Sequence, residues 1–269
     1  MNVSQYSSAF AHPIPIDELA TQVPAAFSEC AAHSTSSSYV FISTKELVSA
    51  LLDAGFIATQ ARQAGVRLGG DGAFARHMLH FQPERESVTL VDAIAQIVLI
   101  NSHDGRCSYQ LRAGLYRPVC TNGLLTRLGD FGLIHVPHRG NVVRNVVDAA
   151  LAITRDFSRV GEVIERMHDT TLSLEERMHF ARQALAVRYP GGQHRPFTAD
   201  VLLSARRQAD EGNDLWRVFN VVQENVMRGG ISGRSLKGRA TQSRGVRAIR
   251  EDVRINNDLW QLAMSMIRS

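Results

Sequence analysis

The stretch from Ile94 to Thr126 constrains the fold more than any other part of the chain, because it predicts a β-hairpin. Asp104-Gly105 favours a two-residue type I′ turn, which needs positive φ at both central positions. That turn would place Ile100 opposite Tyr109. Four apolar residues then share one face: Val98, Ile100, Tyr109 and Leu111. The other face carries the polar residues Ser108, Gln110 and Arg112. Turn chemistry and the period-2 pattern thus predict the same register.

Further segments with strand character surround the hairpin: Tyr39–Ile42, Phe56–Gln63, Phe74–Gln82 and Gly132–Val136. Thr44 is the predicted N-cap of a helix over Lys45–Ala54. Because most of the strands are joined by short loops, we expect them to pair antiparallel. The predicted fold class is α+β. Residues 1–140 form an antiparallel β-sheet region with one or two helices, and residues 141–269 form a helical region packed on the sheet in one compact domain.

Residues 141–168 are predicted to form one long helix, because apolar residues from Val143 to Met167 recur at alternating spacings of three and four. At 1.5 Å per residue such a helix would be roughly 40 Å long. The apolar seam would pack either against a partner chain, which allows a homo-oligomer, or along the protein's own sheet. The sequence leaves both arrangements open.

The remaining helices are predicted from their caps. Ser173 and Glu176 form a capping-box pattern that starts a helix running to about Arg188. Asp214 caps another helix, which Gly229-Gly230 ends. Two further helices are expected, over Ala199–Asp210 and from Asn257 or Asp258 onward.

Several of these segments resemble a known family. The motifs are Asn101-Ser-His-Asp-Gly105, Gln110-Leu-Arg-Ala-Gly-Leu-Tyr-Arg117, Val119-Cys-Thr-Asn-Gly123 and the run from Leu215 to Gly230. Together they are similar to two signatures of the "domain of unknown function 932" family of phage- and plasmid-like proteins, over most of the chain. The resemblance implies a protein of mobile elements and assigns it neither an activity nor catalytic residues.

Residues 228–250 stand out by charge, since they contain seven basic residues and no acidic one: Arg228, Arg234, Lys237, Arg239, Arg244, Arg247 and Arg250. The whole chain has a net charge of +4, so the rest of the chain carries −3. Five glycines in the same segment predict a mobile loop, and long loops are usually functional or disordered. Arginine and glycine without acidic residues suit a phosphate backbone. The alternative is a loop that folds onto an acidic surface of the same protein.

Two residues of the central hairpin extend the predicted nucleic-acid site. Strict alternation places Tyr116 on the polar face with Arg112, where its ring could stack on a base. The alternative for Tyr116 is a place in the core. Two of the 30 basic residues are lysines, Lys45 and Lys237, so 28 are arginines. This excess is explained equally well by phosphate binding and by a GC-rich genome.

Common catalytic and metal-binding patterns are missing from the sequence. It has no G-x-x-x-x-G-K-[ST], H-E-x-x-H or G-x-S-x-G motif. His77 and His80 would point to opposite faces of a strand, and His135 and His138 share the same unfavourable spacing. The three cysteines, Cys30, Cys107 and Cys120, are expected to be reduced thiols. We therefore expect no cofactor and no metal, and a protein that is not an enzyme.

The N-terminus lacks the basic and apolar regions of a signal peptide, and no apolar run reaches the roughly 18–20 residues that span a bilayer. We therefore expect a cytoplasmic protein without a membrane partner. The leading functional hypothesis is a mobile-element DNA-metabolism protein that binds nucleic acid, with single-stranded DNA as one candidate. A β-hairpin followed by a long helix is also similar, at the level of fold alone, to ring-forming annealing recombinases. The rival is a protein-interaction module, such as an inhibitor of a host defence nuclease, and an undetected nuclease is a third candidate.

Overall fold

The fold was analysed in a computed structural model of the chain. It describes residues 12–36, 39–65, 71–84, 89–90, 92–117, 123–125, 133–136 and 141–268. Contacts between Cα atoms divide the chain into two compact units, Met1–Ser158 and Arg159–Ser269. Strands give way to helices between Val136 and Val142, whereas the two units divide after Ser158. Antiparallel strands in the first half and helices in the second make the fold α+β, as the sequence predicted.

The first unit is built on a seven-stranded antiparallel sheet. Its strands are β1 (Phe56–Gln63), β2 (His77–Pro83), β3 (Thr89–Leu90), β4 (Ala93–Asn101), β5 (Tyr109–Tyr116), β6 (Gly123–Leu125) and β7 (Leu133–Val136). The order is β1-β2-β4-β5-β6, with β3 paired to β4 and β7 paired to β5. Three helices accompany the sheet: α1 (Ile16–Gln22), α2 (Thr44–Asp53) and α3 (Val142–Arg155).

The central hairpin forms, but its predicted register is wrong by one residue. Ile100 lies opposite Gln110 rather than Tyr109. Every residue of β4 is buried. With apolar residues required on both faces of this strand, the period-2 pattern could not distinguish one register from the next.

The predicted two-residue turn is replaced by a longer loop, residues 102–108. The Asp104 carboxylate accepts hydrogen bonds from the Ser102 hydroxyl and from the Arg106 amide, which forms a side-chain-closed turn. His103 bonds outside the hairpin, since its carbonyl accepts from the Ala32 amide at 2.9 Å. The turn residues are therefore used for tertiary contacts, and the strands begin to pair only beyond them.

Around α2 the prediction is partly right. Phe56–Gln63 is a strand over the predicted residues, whereas Tyr39–Ile42 is not in a strand. Thr44 is the first residue of α2 rather than its cap, and Ser43 at the cap position makes no side-chain capping bond. The Thr44 hydroxyl is instead buried in a polar cluster described below.

The long helix of the apolar seam is two helices, α3 and α4 (Phe157–Asp169), which are separated at Asp156. The seam residues from Val146 to Met167 are buried within the chain, and α3 packs on β4, β5 and β7. For α3 this confirms packing on the protein's own sheet. The seam therefore provides no argument for a partner chain, and a homo-oligomer stays a prediction.

The second unit contains α5 (Leu174–Arg188), α6 (Leu215–Arg228), β8 (Ser232–Arg234), β9 (Ala240–Gln242) and α7 (Ile249–Met264). The capping box of Ser173 and the cap by Asp214 are confirmed. The helix predicted over Ala199–Asp210 is wrong, because that segment forms two short 3₁₀ turns, Ala199–Leu203 and Gln208–Asp210.

The last helix begins eight residues before the predicted cap at Asn257. Asn256 is fully buried inside α7, where its carbonyl accepts from Gln223 at 2.9 Å and its amide donates to Asp252. These tertiary hydrogen bonds let asparagine lie within the helix, against its usual preference for caps. Stacked and edge-on rings of Trp216, Phe219 and Trp260 form the aromatic core beside it. No helix among the described residues has the length and apolarity to cross a bilayer.

Candidate nucleic-acid interface

Residues 228–250, the basic segment, contain a β-hairpin. Its strands β8 and β9 pair antiparallel, with Arg234 opposite Ala240. At the tip, the Gly238 amide donates to the Ser235 carbonyl at 2.8 Å, and the Ser235 amide donates to the Arg239 carbonyl at 2.9 Å. Gly238 has φ +73°, as expected for a turn that ends in a left-handed residue. The segment that was predicted to be a mobile loop therefore contains a hydrogen-bonded hairpin.

The glycines of this segment permit close packing. A Cβ on Gly233 would lie 2.2 Å from the Pro196 carbonyl oxygen, and one on Gly229 would lie 2.6 Å from the Arg244 carbonyl carbon. Both neighbours are backbone atoms, which cannot rotate away as a side chain would. Glycine was interpreted from the sequence as a sign of mobility, but here it lets two backbones approach each other.

Two arginines outside the hairpin hold its base. Arg188 Nη2 donates to the Arg244 carbonyl at 2.9 Å, and Arg206 Nη2 donates to the Gly229 carbonyl at 2.7 Å. The Arg234 amide also donates to the Pro196 carbonyl at 2.7 Å. Sequence reasoning missed these anchors, because a side chain that bonds a carbonyl far along the chain leaves no local pattern.

All seven basic residues of the segment are exposed. Six of them lie in or beside the hairpin or at the start of α7: Arg234, Lys237, Arg239, Arg244, Arg247 and Arg250. Within the part of the chain that the structure describes, none of the six forms an ion pair with a carboxylate. Arg234 Nη1 donates to the Gly238 carbonyl at 3.0 Å, which aligns its side chain along the hairpin. Arg250 lies in the first turn of α7 and the others lie in or beside the hairpin.

Arg228 differs from the other six, because its charge is compensated. Its Nη1 lies 2.8 Å from Oε1 of Glu224, four residues earlier on α6. The Glu224 side chain is 2% exposed and also pairs with Arg207, which in turn contacts Asp210 at 2.9 Å. This network of ion pairs stabilises the end of α6, directly before the hairpin, and Arg228 is part of it.

Arg112 and Tyr116 belong to the first unit, and they share one face of β5 as the alternation predicted. Arg112 is 8% exposed, and its Nε and Nη2 lie 3.4 and 3.2 Å from Oε1 of Gln110. Tyr116 is half-buried. The Arg112 guanidinium is therefore held against a neighbouring side chain of its own strand, and its role in nucleic-acid binding stays a prediction.

Charge is distributed unevenly between the two units. Residues 159–269 contain 18 basic and 13 acidic residues, a net charge of +5, which leaves −1 for residues 1–158. Residues 228–250 contribute +7, so the rest of the second unit is at −2. The positive field of the unit therefore originates in the hairpin and its flanks.

A second polar cluster lies buried in the first unit, around the Thr44 hydroxyl. Its oxygen is 3.1 Å from Nε2 of His77, 3.1 Å from Nε2 of His103 and 3.3 Å from Nδ2 of Asn101. Nδ1 of His77 faces the Ala75 carbonyl, so this nitrogen carries the proton and Nε2 accepts from Thr44. The oxygen then accepts from Asn101 and His103, and it also lies 3.1 Å from the Tyr109 hydroxyl.

The two histidines of β2 lie on opposite faces of the strand, as expected from their spacing. His77 joins the Thr44 cluster, while Nδ1 of His80 lies 3.1 Å from Oε1 of Gln96. Burial, together with the nearby His103, lowers the pKa of His77 to about 3. Burial also lowers the pKa of His80 to about 4. Both imidazoles are therefore neutral structural groups at physiological pH.

The remaining candidate metal ligands are His135 and His138, and the candidate thiols are Cys30, Cys107 and Cys120. His135 lies on β7, and His138 lies outside the described residues. Among the described residues no group of three or more His, Cys, Asp or Glu side chains has a geometry that could hold a metal ion. Cys30 is exposed and Cys107 is buried, both as free thiols, while Cys120 lies outside the described residues.

Comparison with known proteins identifies the family. A family model described as "Domain of unknown function (DUF932)" matches residues 31–260, a range that includes the central hairpin and the whole basic segment. The chain belongs to the DUF932 family. It is 39% identical over 255 residues to the UPF0380 protein YafZ and 38% identical over 255 residues to the UPF0380 protein YfjQ, both of Escherichia coli strain K12. Each match covers 95% of this chain and 92% of the relative. No solved structure matches this chain.

Proposed function

We propose that this DUF932 protein binds nucleic acid through residues 229–250, named here the basic hairpin segment. The observation that carries the proposal is the set of six exposed cations, which have no carboxylate partner within the described residues. A nucleic-acid backbone supplies closely spaced negative charges, and each Lys or Arg that neutralises a phosphate adds affinity by releasing a counterion. Arginine also matches the bidentate geometry of a phosphate.

Two other arginines of the second unit, in contrast, form ion pairs with carboxylates. Arg254 lies 2.9 Å from Glu251 and 3.1 Å from Asp258, and Arg268 lies 2.7 Å from Glu176. A segment that folded onto an acidic surface of the same protein would show contacts of this kind. The basic hairpin segment keeps its cations exposed instead, which favours an external polyanion.

The resemblance to phage- and plasmid-like proteins makes mobile-element DNA in the cytoplasm the ligand that we favour, and DNA metabolism the role. The rival role is that of a protein-interaction module, in which the hairpin meets an acidic protein surface. Salt dependence alone does not separate the two, because both partners are anions. A competitor experiment does, since a flexible polycarboxylate lacks the regular spacing of phosphates.

The test is equilibrium binding of the full chain to labelled DNA between 50 and 200 mM salt, with polyglutamate as competitor. We expect the logarithm of the affinity to fall linearly with the logarithm of the salt concentration, with a slope of about −0.9 per phosphate on duplex DNA or −0.7 on a single strand. We also expect polyglutamate at equal charge to compete weakly. Failure to bind at 50 mM salt would overturn the proposal. Displacement by polyglutamate as effective as displacement by DNA would favour the protein-interaction role.

A further inference from the structure

The tip of the basic hairpin segment carries an apolar side chain. Leu236 is 84% exposed, which is the highest value among the large apolar residues that the structure describes; the next is Leu174 at 65%. It is followed directly by Lys237, while Arg234 ends β8 and Arg239 immediately precedes β9. A single exposed leucine is ordinary on a protein surface. Its position between three exposed cations, at the far end of a two-stranded ribbon, is what requires an explanation.

The composition of the segment argues against a single-stranded ligand. Proteins that hold single strands stack successive bases on aromatic side chains. Residues 228–250 contain no Phe, Tyr or Trp. A two-stranded ribbon, in contrast, has dimensions that suit a groove of a duplex. Proteins that bend duplexes insert apolar side chains such as Leu between base steps.

We propose that the ligand of the basic hairpin segment is double-stranded nucleic acid, and that Leu236 inserts between two adjacent base pairs while the three flanking cations hold phosphates. The inference rests on the proposed function and names its substrate class. The cations position the ribbon, and the leucine replaces the stacking contact that is lost when the two base pairs separate.

The hairpin is built to keep its tip in place during such an insertion. Gly238 and Arg239 close the turn through hydrogen bonds to Ser235, so Leu236 stands at a corner whose backbone is already bonded. Beside the tip, the Pro196 carbonyl holds the end of β8 by accepting from the Arg234 amide. At the other end, the guanidinium groups of Arg188 and Arg206 anchor the base. A side chain that separates two base pairs needs such support, because the tip must keep its shape while the stack opens.

A lipid surface is the other partner that combines negative charge with an apolar phase. Interfacial binding by a protein segment uses an extended apolar face, usually that of an amphipathic helix. The hairpin offers one leucine. The hairpin therefore fits a duplex better than a lipid surface, because its cations complement a phosphate backbone and one leucine is enough for insertion at a single base step. Anionic vesicles are included in the test.

The experiment uses the full chain and a duplex of about 20 base pairs in which one strand carries 2-aminopurine, whose fluorescence rises when it unstacks. The wild-type protein and Leu174→Ala, the matched exposed leucine of the same unit, should both raise the fluorescence at saturation. Leu236→Ala should keep the wild-type salt slope and lose most of the fluorescence increase. Lys237→Ala should keep the increase at saturation and lower the slope by about one phosphate contact, roughly 0.9. Circular dichroism checks that each variant is folded.

The outcomes separate the inference from the proposed function. A Leu236→Ala variant that still unstacks the duplex would overturn the insertion of Leu236. Wild-type binding with a normal salt slope but no fluorescence change would also overturn it. Tighter binding to the single strand than to the duplex at the same salt would overturn the duplex ligand. Binding to phosphatidylglycerol vesicles, lost in Leu236→Ala and not accompanied by unstacking, would assign the leucine to a membrane. Absence of binding to any oligonucleotide would overturn the proposed function itself.

Discussion

Gly233 and Pro196 are packed so closely that a Cβ on residue 233 would lie 2.2 Å from the Pro196 carbonyl oxygen. That oxygen also accepts a hydrogen bond from the Arg234 amide at 2.7 Å. The contact ties β8 to the segment that follows α5, so it fixes the hairpin where its cations are exposed. The glycine is therefore a requirement of the packing.

Replacing Gly233 with alanine should destabilise the protein by about 1–3 kcal/mol, the range for an added methyl group in a well-packed site. The reason is that the obstructing atom is a carbonyl of the backbone, and moving it would break its hydrogen bond to Arg234. Urea denaturation measures the effect. Thr241→Ala, directly opposite Gly233 in the hairpin, is the control and should change the unfolding free energy by less than about 0.5 kcal/mol. Equal stability of Gly233→Ala and the wild type would refute this packing.

Much of the hairpin's chemistry could be predicted from the sequence, but its structure could not. Residues 228–250 hold seven cations and no carboxylate, and a local count of charges is enough to find them. Gly233 has the same appearance in the sequence whether it makes a loop mobile or lets Pro196 approach. Only the residue across the contact distinguishes the two, and position 196 lies too far along the chain for a local pattern to reveal it.

In the first unit, too, local features could be predicted from the sequence and contacts with distant residues could not. The strand Phe56–Gln63 could be predicted because it follows Gly55, which ends the preceding helix, and begins with Phe56 and Ile57, which favour strands. The register of β4 and β5 could not, since β4 is buried on both faces and the Asp104 side chain closes the turn. Thr44 was assigned as a cap from its type and position, whereas its hydroxyl is bonded to residues that lie 33 and 59 positions away.

Replacing Thr44 with valine should cost about 2–4 kcal/mol of stability. Valine keeps the shape but removes the hydroxyl, so Nε2 of His77 and Nδ2 of Asn101 lose their shared partner in a fully buried site, at about 1–3 kcal/mol for each unsatisfied group. The neighbouring Ser43→Ala is the control, because Ser43 makes no capping bond and its loss should be worth less than about 0.5 kcal/mol. Urea denaturation of both variants compares them. A larger effect at Ser43 than at Thr44 would contradict the buried role of the Thr44 hydroxyl.

The unfolding free energy should fall as the pH is lowered from about 6.5 towards 4. Burial lowers the pKa of His77 to about 3 and that of His80 to about 4, whereas an unfolded chain protonates histidine near 6.5. Between these values the unfolded state binds more protons, so stability is complete above about pH 6.5 and is lost below it. The slope should approach about 1.4 kcal/mol per pH unit for each histidine.

Urea denaturation at pH 7.5, 6.5, 5.5 and 5.0 measures this dependence. His80→Gln removes one of the two sites and should reduce the slope by about half, even if its stability at pH 7.5 is lower. A stability that stays constant between pH 6.5 and 5.0 would show that the two imidazoles are not held neutral in the folded protein.

The central claim is that the exposed cations bind phosphates and do not stabilise the protein's own surface. The most direct measurement compares the wild type with a variant in which Arg234, Lys237, Arg239 and Arg244 are all alanine. Its control removes four exposed arginines elsewhere, Arg144, Arg155, Arg166 and Arg182, so that the net charge of the two variants is equal. Both receive the same two assays, thermal unfolding and DNA affinity as a function of salt.

We predict that the hairpin variant unfolds close to the wild-type temperature, because exposed positions seldom change stability by more than about 0.5 kcal/mol each. Its salt slope on duplex DNA should be smaller by up to roughly 3–4, which is about 0.9 for each lost phosphate contact, while the control keeps a slope near that of the wild type. A lower unfolding temperature with an unchanged salt slope in the hairpin variant would contradict the account, because the cations would then stabilise the protein itself.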